Sequence, residues 1–292
     1  MVGRPDVELL AVVTGEDKNV GRHRTLTPPK TKTLALAHGV PVLQPKKIAT
    51  AVPAVAALSP DLVVVMAYGA LLPDGLLATP AIACINLHGS LLPRHRGASP
   101  VQAAIDAGDT ESGITVMHVA KKLDAGDIIL KKSIPLSGDE TGGSLHDRLA
   151  ELAPVALGEA LDQFLAGTAT RTVQDPAQVT YLGKLARADG LIDWSLPAGQ
   201  LERQIRAYFP WPGSYTTLDS RRLKILPPTQ AGTDPHNAPP GTVLDATRDT
   251  LRIACGDGSS ISLTSLQPDG KKAMPVAAFL AGHSLQPGTA FS

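Results

Sequence analysis

The segment Asp61-Leu62-Val63-Val64-Val65-Met66 constrains the fold more than any other part of the chain. Five apolar residues in succession leave no polar face, and the run is too short for a buried helix. It reads as a strand covered on both faces, the signature of a parallel sheet between helices. Residues 81–87 repeat the pattern, and residues 7–14 and 40–43 add two further strands. Residues 33–38 and 50–58 fit helices between them. Gly39 stands where a helix ordinarily stops, and Pro53 suits a first helical turn. Pro28 and Pro29 keep the polar loop at residues 15–32 from continuing as helix.

The run at residues 81–87 leads into Asn86-Leu87-His88-Gly89-Ser90-Leu91-Leu92-Pro93-Arg94-His95-Arg96-Gly97. Dense polar chemistry at a strand end, with glycines that let the backbone turn, is where an α/β sheet places a site. Asn86 and His88 are two apart, so on an extended segment they project to the same side. Asp124, in Leu123-Asp124-Ala125-Gly126-Asp127, follows one helix at 100–107 and one strand at 113–119. A parallel fold returns that loop beside residues 81–87. An amide, an imidazole and a carboxylate together suit attack of an amine on a carbonyl-type carbon. The amide and the protonated imidazole would stabilise the oxyanion, and the carboxylate would manage the amine proton. The same residues also suit turn and capping roles, and on their chemistry alone both readings stay open. His118 and His146 fall in strand and helix patterns and read as structural, and Arg94 and Arg96 by themselves suit a solvated surface.

Other chemistries find no support. No serine or cysteine sits in a nucleophile elbow, and the P-loop and Gly-x-Gly-x-x-Gly patterns are absent. His88 and His95 lack a third ligand at metal spacing, so no metal is expected. Lys plus Arg and Asp plus Glu are equal at 27 each, so no global field draws the chain to polyanions or membranes. No apolar run approaches the ~20 residues of a membrane span, and no signal peptide opens the chain. Cys84 and Cys255 sit in separate apolar runs and read as buried free thiols of a reducing cytoplasm. Residues 128–135 form another strand and residues 141–165 a long amphipathic helix, capped by Thr141 or Ser144. Residues 167–178 are polar and irregular, as a linker is. Beyond residue 191 a short helix at 201–208 precedes short alternating runs at 214–218, 223–225, 241–245, 251–255 and 260–266. Turn residues separate these runs, a spacing that suggests a small barrel or sandwich.

At these residues a family resemblance enters. Asn86-x-His88-Gly89-Ser90-Leu91-Leu92-Pro93-x-x-Arg96-Gly97, followed by Pro100-Val101-Gln102, resembles the signature of the methionyl-tRNA formyltransferases. The spacing to Leu123-Asp124-x-Gly126-Asp127 resembles that of the wider folate-dependent formyltransferase superfamily. Asp189-Gly190-x-Ile192-Asp193-Trp194-Ser195, Pro210-Trp211-Pro212-Gly213 and Leu266-Gln267-Pro268-x-Gly270-Lys271-Lys272 are similar to its C-terminal domain. The resemblance implies transfer of the formyl group of 10-formyltetrahydrofolate to the α-amine of methionine on initiator tRNA, in translation initiation. It implies Asn86, His88 and Asp124 as the catalytic trio, and Ser90, Leu91, Leu92 and Pro93 as the folate-site lining. Arg22, in the loop Gly21-Arg22-His23-Arg24, would contact the tRNA. Lys30, Lys32, Arg221, Arg222, Lys224, Lys271 and Lys272 would supply phosphate contacts. A cytoplasmic monomer with no membrane partner is implied.

Relatives begin with a strand, a Gly-Thr-Pro turn and a helix before the equivalent of residues 7–14. The expected fold class is therefore α/β: a doubly wound, mostly parallel sheet whose first strand-helix unit is missing, then a small C-terminal OB-like β-barrel. The expected domains are an N-terminally truncated catalytic domain at 1–170, a linker at 171–188 and an OB-like tRNA-binding domain at 189–292. The missing unit motivates two further expectations: a start that lies inside the native first helix-to-strand connection, and an inactive tRNA- or folate-binding remnant. A formyltransferase acting on another amine, such as an amino sugar, is the remaining reading.

Overall fold

The computed structural model describes residues 2–21, 23–247 and 249–292. Its contacts gather into two units. The first comprises Met1–His88, Ile114–Lys132 and Leu152–Ala177, and the second Gly89–Gly113, Ser133–Glu151 and Gln178–Ser292. In chain order the first elements are β1 (Val12–Val13), β2 (Lys18–Val20), β3 (Thr25–Thr27), α1 (Lys30–Ala37), β4 (Val42–Leu43) and α2 (Val52–Ala57). Then come β5 (Leu62–Met66), α3 (Asp74–Leu77), β6 (Ala83–His88), α4 (Pro100–Asp106), β7 (Glu111–His118), β8 (Ile128–Pro135) and α5 (Gly142–Leu165).

The first unit holds parallel pairs in two separate sheets. β1 pairs with β4, Val12 opposite Val42, and β5 pairs with β6, Leu62 opposite Ala83. Among the described residues β1 pairs only with β4, and β5 pairs only with β6. Ala51, Val55 and Leu76 form one apolar cluster that takes in Val13 and Leu43 from the first sheet and Val63 from the second.

The sheet is mixed rather than mostly parallel. β6 pairs with β7 antiparallel, with His88 opposite Thr115 and Ile85 opposite His118, and β8 completes the order β5-β6-β7-β8. The chain re-enters the sheet at the end where β6 leaves it. The seven-residue α4 in that connection spans only about 10 Å and does not carry the chain back along β6.

Other elements depart from the sequence reading in instructive ways. Only Val12 and Val13 of the apolar run at 7–14 form strand, because a strand needs a laddered neighbour and β1 has one over two residues. The loop at 15–32 contains an exposed hairpin, β2 against β3, with Asn19 opposite Leu26. α1 begins directly after Pro29, and Gly39 follows it at φ +69°. Thr141 caps α5, its Oγ1 accepting from the Ser144 N–H at 3.1 Å.

The second unit carries α6 (Ala198–Ala207), β9 (Ser214–Leu218), β10 (Arg221–Gly232), β11 (Val243–Ala246), β12 (Leu251–Ala254), β13 (Ser260–Pro268), β14 (Met274–Pro275) and α7 (Val276–Leu280). The strands form one sheet in the order β11-β12-β13-β10-β9, with β14 added to β13. Among the described residues β9 and β11 form no direct ladder, but the C-terminal residues link them. Ser292 exchanges backbone hydrogen bonds with Thr217 of β9, and the Val243 N–H of β11 donates to the Thr289 carbonyl. The laddered strands make a six-stranded antiparallel sheet rather than the complete barrel expected. β10 is longer than the expected run at 223–225 and runs on through Pro227 and Pro228 to Gly232. Its register against β13 shifts between Leu226 and Thr229, where Pro227 and Pro228 have no N–H to donate. Leu201 and Ile205 of α6 join Leu223, Ile225, Leu251, Ile253, Ile261, Leu263 and Leu266 in one aliphatic core. Trp194 seals it, donating its indole N–H to Thr216 Oγ1 at 3.0 Å. No helix among the described residues is long and apolar enough to cross a membrane.

Candidate active site

β6 is paired on both sides, which fixes the backbone that carries Asn86 and His88. Asn86 lies between Val65 of β5 and Met117 of β7, and His88 lies opposite Thr115. Alternation sends Ile85 and Leu87 into the core and leaves Asn86 and His88 on the opposite face. His88 is itself buried.

Asp124 arrives from the loop between β7 and β8. That loop is closed at its base by the His118 N–H donating to the Asp127 carbonyl at 2.9 Å. Val119 still donates to the Cys84 carbonyl at 2.8 Å, so the loop leaves directly beside β6. Asp124 sits at φ +49°, a left-handed conformation that aspartate tolerates better than most residues. Gly126 is required by close approach: a Cβ there would meet the His118 carbonyl oxygen at 1.7 Å. The Asp124 carboxylate Oδ1 faces His88 Nδ1 at 3.7 Å, with side-chain exposures of 11% and 7%. That is ion-pair distance for a protonated ring, slightly beyond a direct hydrogen bond. The structure thus brings two of the three trio members face to face, and the third shares a strand face with His88. An amide, an imidazole and a carboxylate so placed can support an oxyanion at two points and accept a proton.

Residues 171–174, at the start of the expected linker at 171–188, contribute to this loop. Thr172 and Ile128 exchange backbone hydrogen bonds of 2.8 and 2.9 Å. Gln174 donates from Nε2 to the Asp124 carbonyl at 2.9 Å and to the Gly126 carbonyl at 2.8 Å. Nothing in the sequence singles out this residue, since a glutamine in a polar stretch reads as solvated. Arg171 approaches His118 Nδ1 at 3.2 Å. Burial, reinforced by the Arg171 charge, holds His118 below the usual histidine range, in keeping with its structural reading.

The second unit holds the rest of the motif. Ser90 is buried and donates its hydroxyl to the Arg94 carbonyl at 2.7 Å. Leu92 and Pro93 are buried, and Leu91 is half-buried. His95 binds Asp109 through Nε2 at 2.7 Å, and Arg94 binds the same carboxylate. Arg96, read from sequence as solvated, is buried and donates to the Tyr181 hydroxyl at 3.3 Å. Gly97, at φ +106°, passes so close to Leu182 that a Cβ would lie 2.3 Å from its carbonyl oxygen.

Of the expected tRNA contacts, Arg22 lies outside the described residues. Lys32 is engaged with Asp17 at 2.9 Å. Arg221, Arg222 and Lys224 are exposed at the start of β10, and Lys271 and Lys272 are exposed just past the end of β13. β10 and β13 are paired there, Leu223 opposite Pro268, so these five cations share one end of the sheet. Among the described residues no three His, Cys, Asp or Glu side chains gather where they could hold a metal ion.

Comparison with known proteins identifies the family of the chain. Residues 2–161 match the formyl transferase family, and residues 184–284 match the formyl transferase C-terminal domain. The methionyl-tRNA formyltransferase of Geobacter sulfurreducens is 44% identical over 97% of this chain and 88% of its own length. That of Akkermansia muciniphila is 46% identical over 94% and 90%. Among solved structures, the N-formyltransferase of Helicobacter canadensis, in complex with folinic acid and dTDP-3-aminofucose, superposes with a TM-score of 0.63. It is 14% identical, with 87% of each chain covered. HypX from Aquifex aeolicus in complex with tetrahydrofolic acid gives 0.58 at 19% identity, over 84% of this chain and 43% of that one. These structural likenesses concern the fold. With both family domains matched and relatives this similar along almost the whole chain, the chain belongs to the formyl transferase family, on the branch of the methionyl-tRNA formyltransferases.

Proposed function

We propose that this chain transfers the formyl group of 10-formyltetrahydrofolate to the α-amine of methionine on initiator tRNA. The observation that carries the reading is the pairing of His88 with Asp124 at 3.7 Å, on a strand face shared with Asn86 and in a chain that matches both formyl transferase domains. The neutral amine attacks the formyl carbon directly. Asn86 donates an amide hydrogen bond to the formyl oxygen, and His88 as imidazolium stabilises the charge that develops there. Asp124 takes the proton the amine sheds as the new C–N bond forms. The bond from the formyl carbon to folate N10 then breaks, and N10 leaves with the proton that Asp124 passes on.

The segment Ser90, Leu91, Leu92 and Pro93 lines the folate side in this reading. The five cations at one end of the C-terminal sheet, together with Arg22, meet tRNA phosphates, which lets a chain of zero net charge bind a polyanion locally. The division into a catalytic domain at 1–170, a linker at 171–188 and a tRNA-binding domain at 189–292 goes with it, in the cytoplasm where initiator tRNA is charged.

The test is a substrate panel with 10-formyltetrahydrofolate as donor: methionyl-tRNA, free methionine and a dTDP-linked amino sugar. Formylation of methionyl-tRNA far above the other two is expected. Preference for the amino sugar would transfer the chain to that substrate class, and a folded chain inert towards all three would make it a binding remnant.

A further inference from the structure

We infer that Gln174 is the positioning residue of the Asp124 carboxylate. The inference rests on the reading of Asp124 as part of the catalytic trio. Asp124 is held in a left-handed conformation in the loop between β7 and β8. The two carbonyls that flank Ala125, those of Asp124 and Gly126, both turn towards Gln174. Each accepts one of its amide hydrogens, at 2.9 and 2.8 Å. The Met117 sulfur lies 3.9 Å from the same nitrogen. Gln174 is 6% exposed, so these are water-excluded bonds, and a carbonyl left without its donor there is costly.

The clamp is itself anchored. Two residues earlier, Thr172 is bridged to Ile128 at the start of β8, and Arg171 reaches Asp127 at 3.9 Å. Residues 171–174 therefore run along the loop as a third rail. Gln174 fixes the Asp124–Ala125 and Gly126–Asp127 peptide planes and so sets the direction in which the Asp124 side chain leaves the backbone, towards His88 Nδ1. An amide is the right group: a glutamate would set a carboxylate against two carbonyl oxygens, and a methionine would fill the space without donating.

A positioning role predicts a loss in turnover rather than in affinity. Gln174→Met should lower kcat for methionyl-tRNA formylation by roughly 10- to 100-fold, the scale of a small misplacement of a catalytic group. KM for tRNA and for the folate should stay within about twofold. On an Asp124→Ala background the same substitution should cause no further fall, because the residue acts through that carboxylate. Gln174→Asn, which keeps an amide one methylene short, should lie between the native chain and Gln174→Met, and serves if the methionine variant does not fold. Native kcat in Gln174→Met, or a loss that multiplies in full with that of Asp124→Ala, would overturn the proposal. Native kcat in Asp124→Ala alone would remove the catalytic reading of Asp124 and the clamp with it, an outcome distinct from failure of the clamp by itself.

Discussion

The C-terminal sheet and the sheets of the first unit bury their strands to different depths. Leu251, Ile253, Ile261 and Leu263 of β12 and β13 are all at 0% exposure. β5 has the more apolar sequence, yet Leu62 through Val65 are only half-buried and Met66 is 53% exposed. The difference is one of neighbours. β13 is flanked by β12 and β10 with α6 and α7 over the same core, whereas β5 is laddered on one side. Apolar character makes a strand; only a second neighbour and a covering layer make it a core. β6 obeys the same rule within the first unit, since it is paired on both sides and buried, and it is the strand that carries Asn86 and His88.

If β6 is the firm part of a loosely closed unit, the largest effects of mutation belong there and are effects on chemistry. Asn86→Ala, His88→Ala and Asp124→Ala should each lower kcat by roughly 10²–10⁴, with circular dichroism unchanged. A loss confined to tRNA affinity would contradict the roles assigned.

The next effect separates the two sheets by stability. Leu263→Ala should cost about 2–5 kcal/mol, as fully buried leucines do. Val64→Ala in β5 should cost about 1 kcal/mol, since a half-buried side chain has less to lose. Urea unfolding of the two variants measures both, and equal losses would break the comparison.

A smaller effect comes from His118, next to the Asp124 loop. Burial keeps its folded-state ring neutral to lower pH than in the unfolded chain. The unfolded state therefore binds more protons below about pH 6.5, and stability rises with pH through that window. The contribution is whole above about pH 6.5 and is lost as pH falls below it. His118→Phe should flatten this part of the pH–stability curve relative to the native chain; an unchanged slope would assign it to other groups.

The thiols give the finest comparison, one in each region. Burial pushes Cys84 in β6 up to about 11 and, with the nearby Asp257 charge, Cys255 up to about 12. Both should resist a disulfide reagent at neutral pH in the native chain. In increasing urea Cys84 should react before Cys255, and the reverse order would place the firmer core in the first unit.

How much of this could be read beforehand follows the same physics. β5, β6, the long α5 and the alternating C-terminal runs were legible because apolar periodicity reports directly on burial. Asn86, His88 and Asp124 were legible as chemistry, and the family motif singled them out as the candidate site. Strand direction was not: β7 looks the same whether it runs with β6 or against it. The hairpin at β2 and β3 left no trace, because Val20 and Leu26 point into solvent with no polar alternation to mark a face. The run at 7–14 promised more strand than a single two-residue ladder sustains. Gln174 was invisible because its partners are main-chain carbonyls, and a backbone group has no letter in the sequence.

The central claim is that Asn86, His88 and Asp124 act as one unit in transferring a formyl group to methionyl-tRNA. Its most direct test is the single-turnover rate of that transfer, at saturating 10-formyltetrahydrofolate and methionyl-tRNA, for the native chain, the three alanine variants and their triple combination. If the three act as one unit, the triple variant is no slower than the slowest single variant within about tenfold, and all lie far below the native chain. Transfer by the triple variant at the native rate would contradict it.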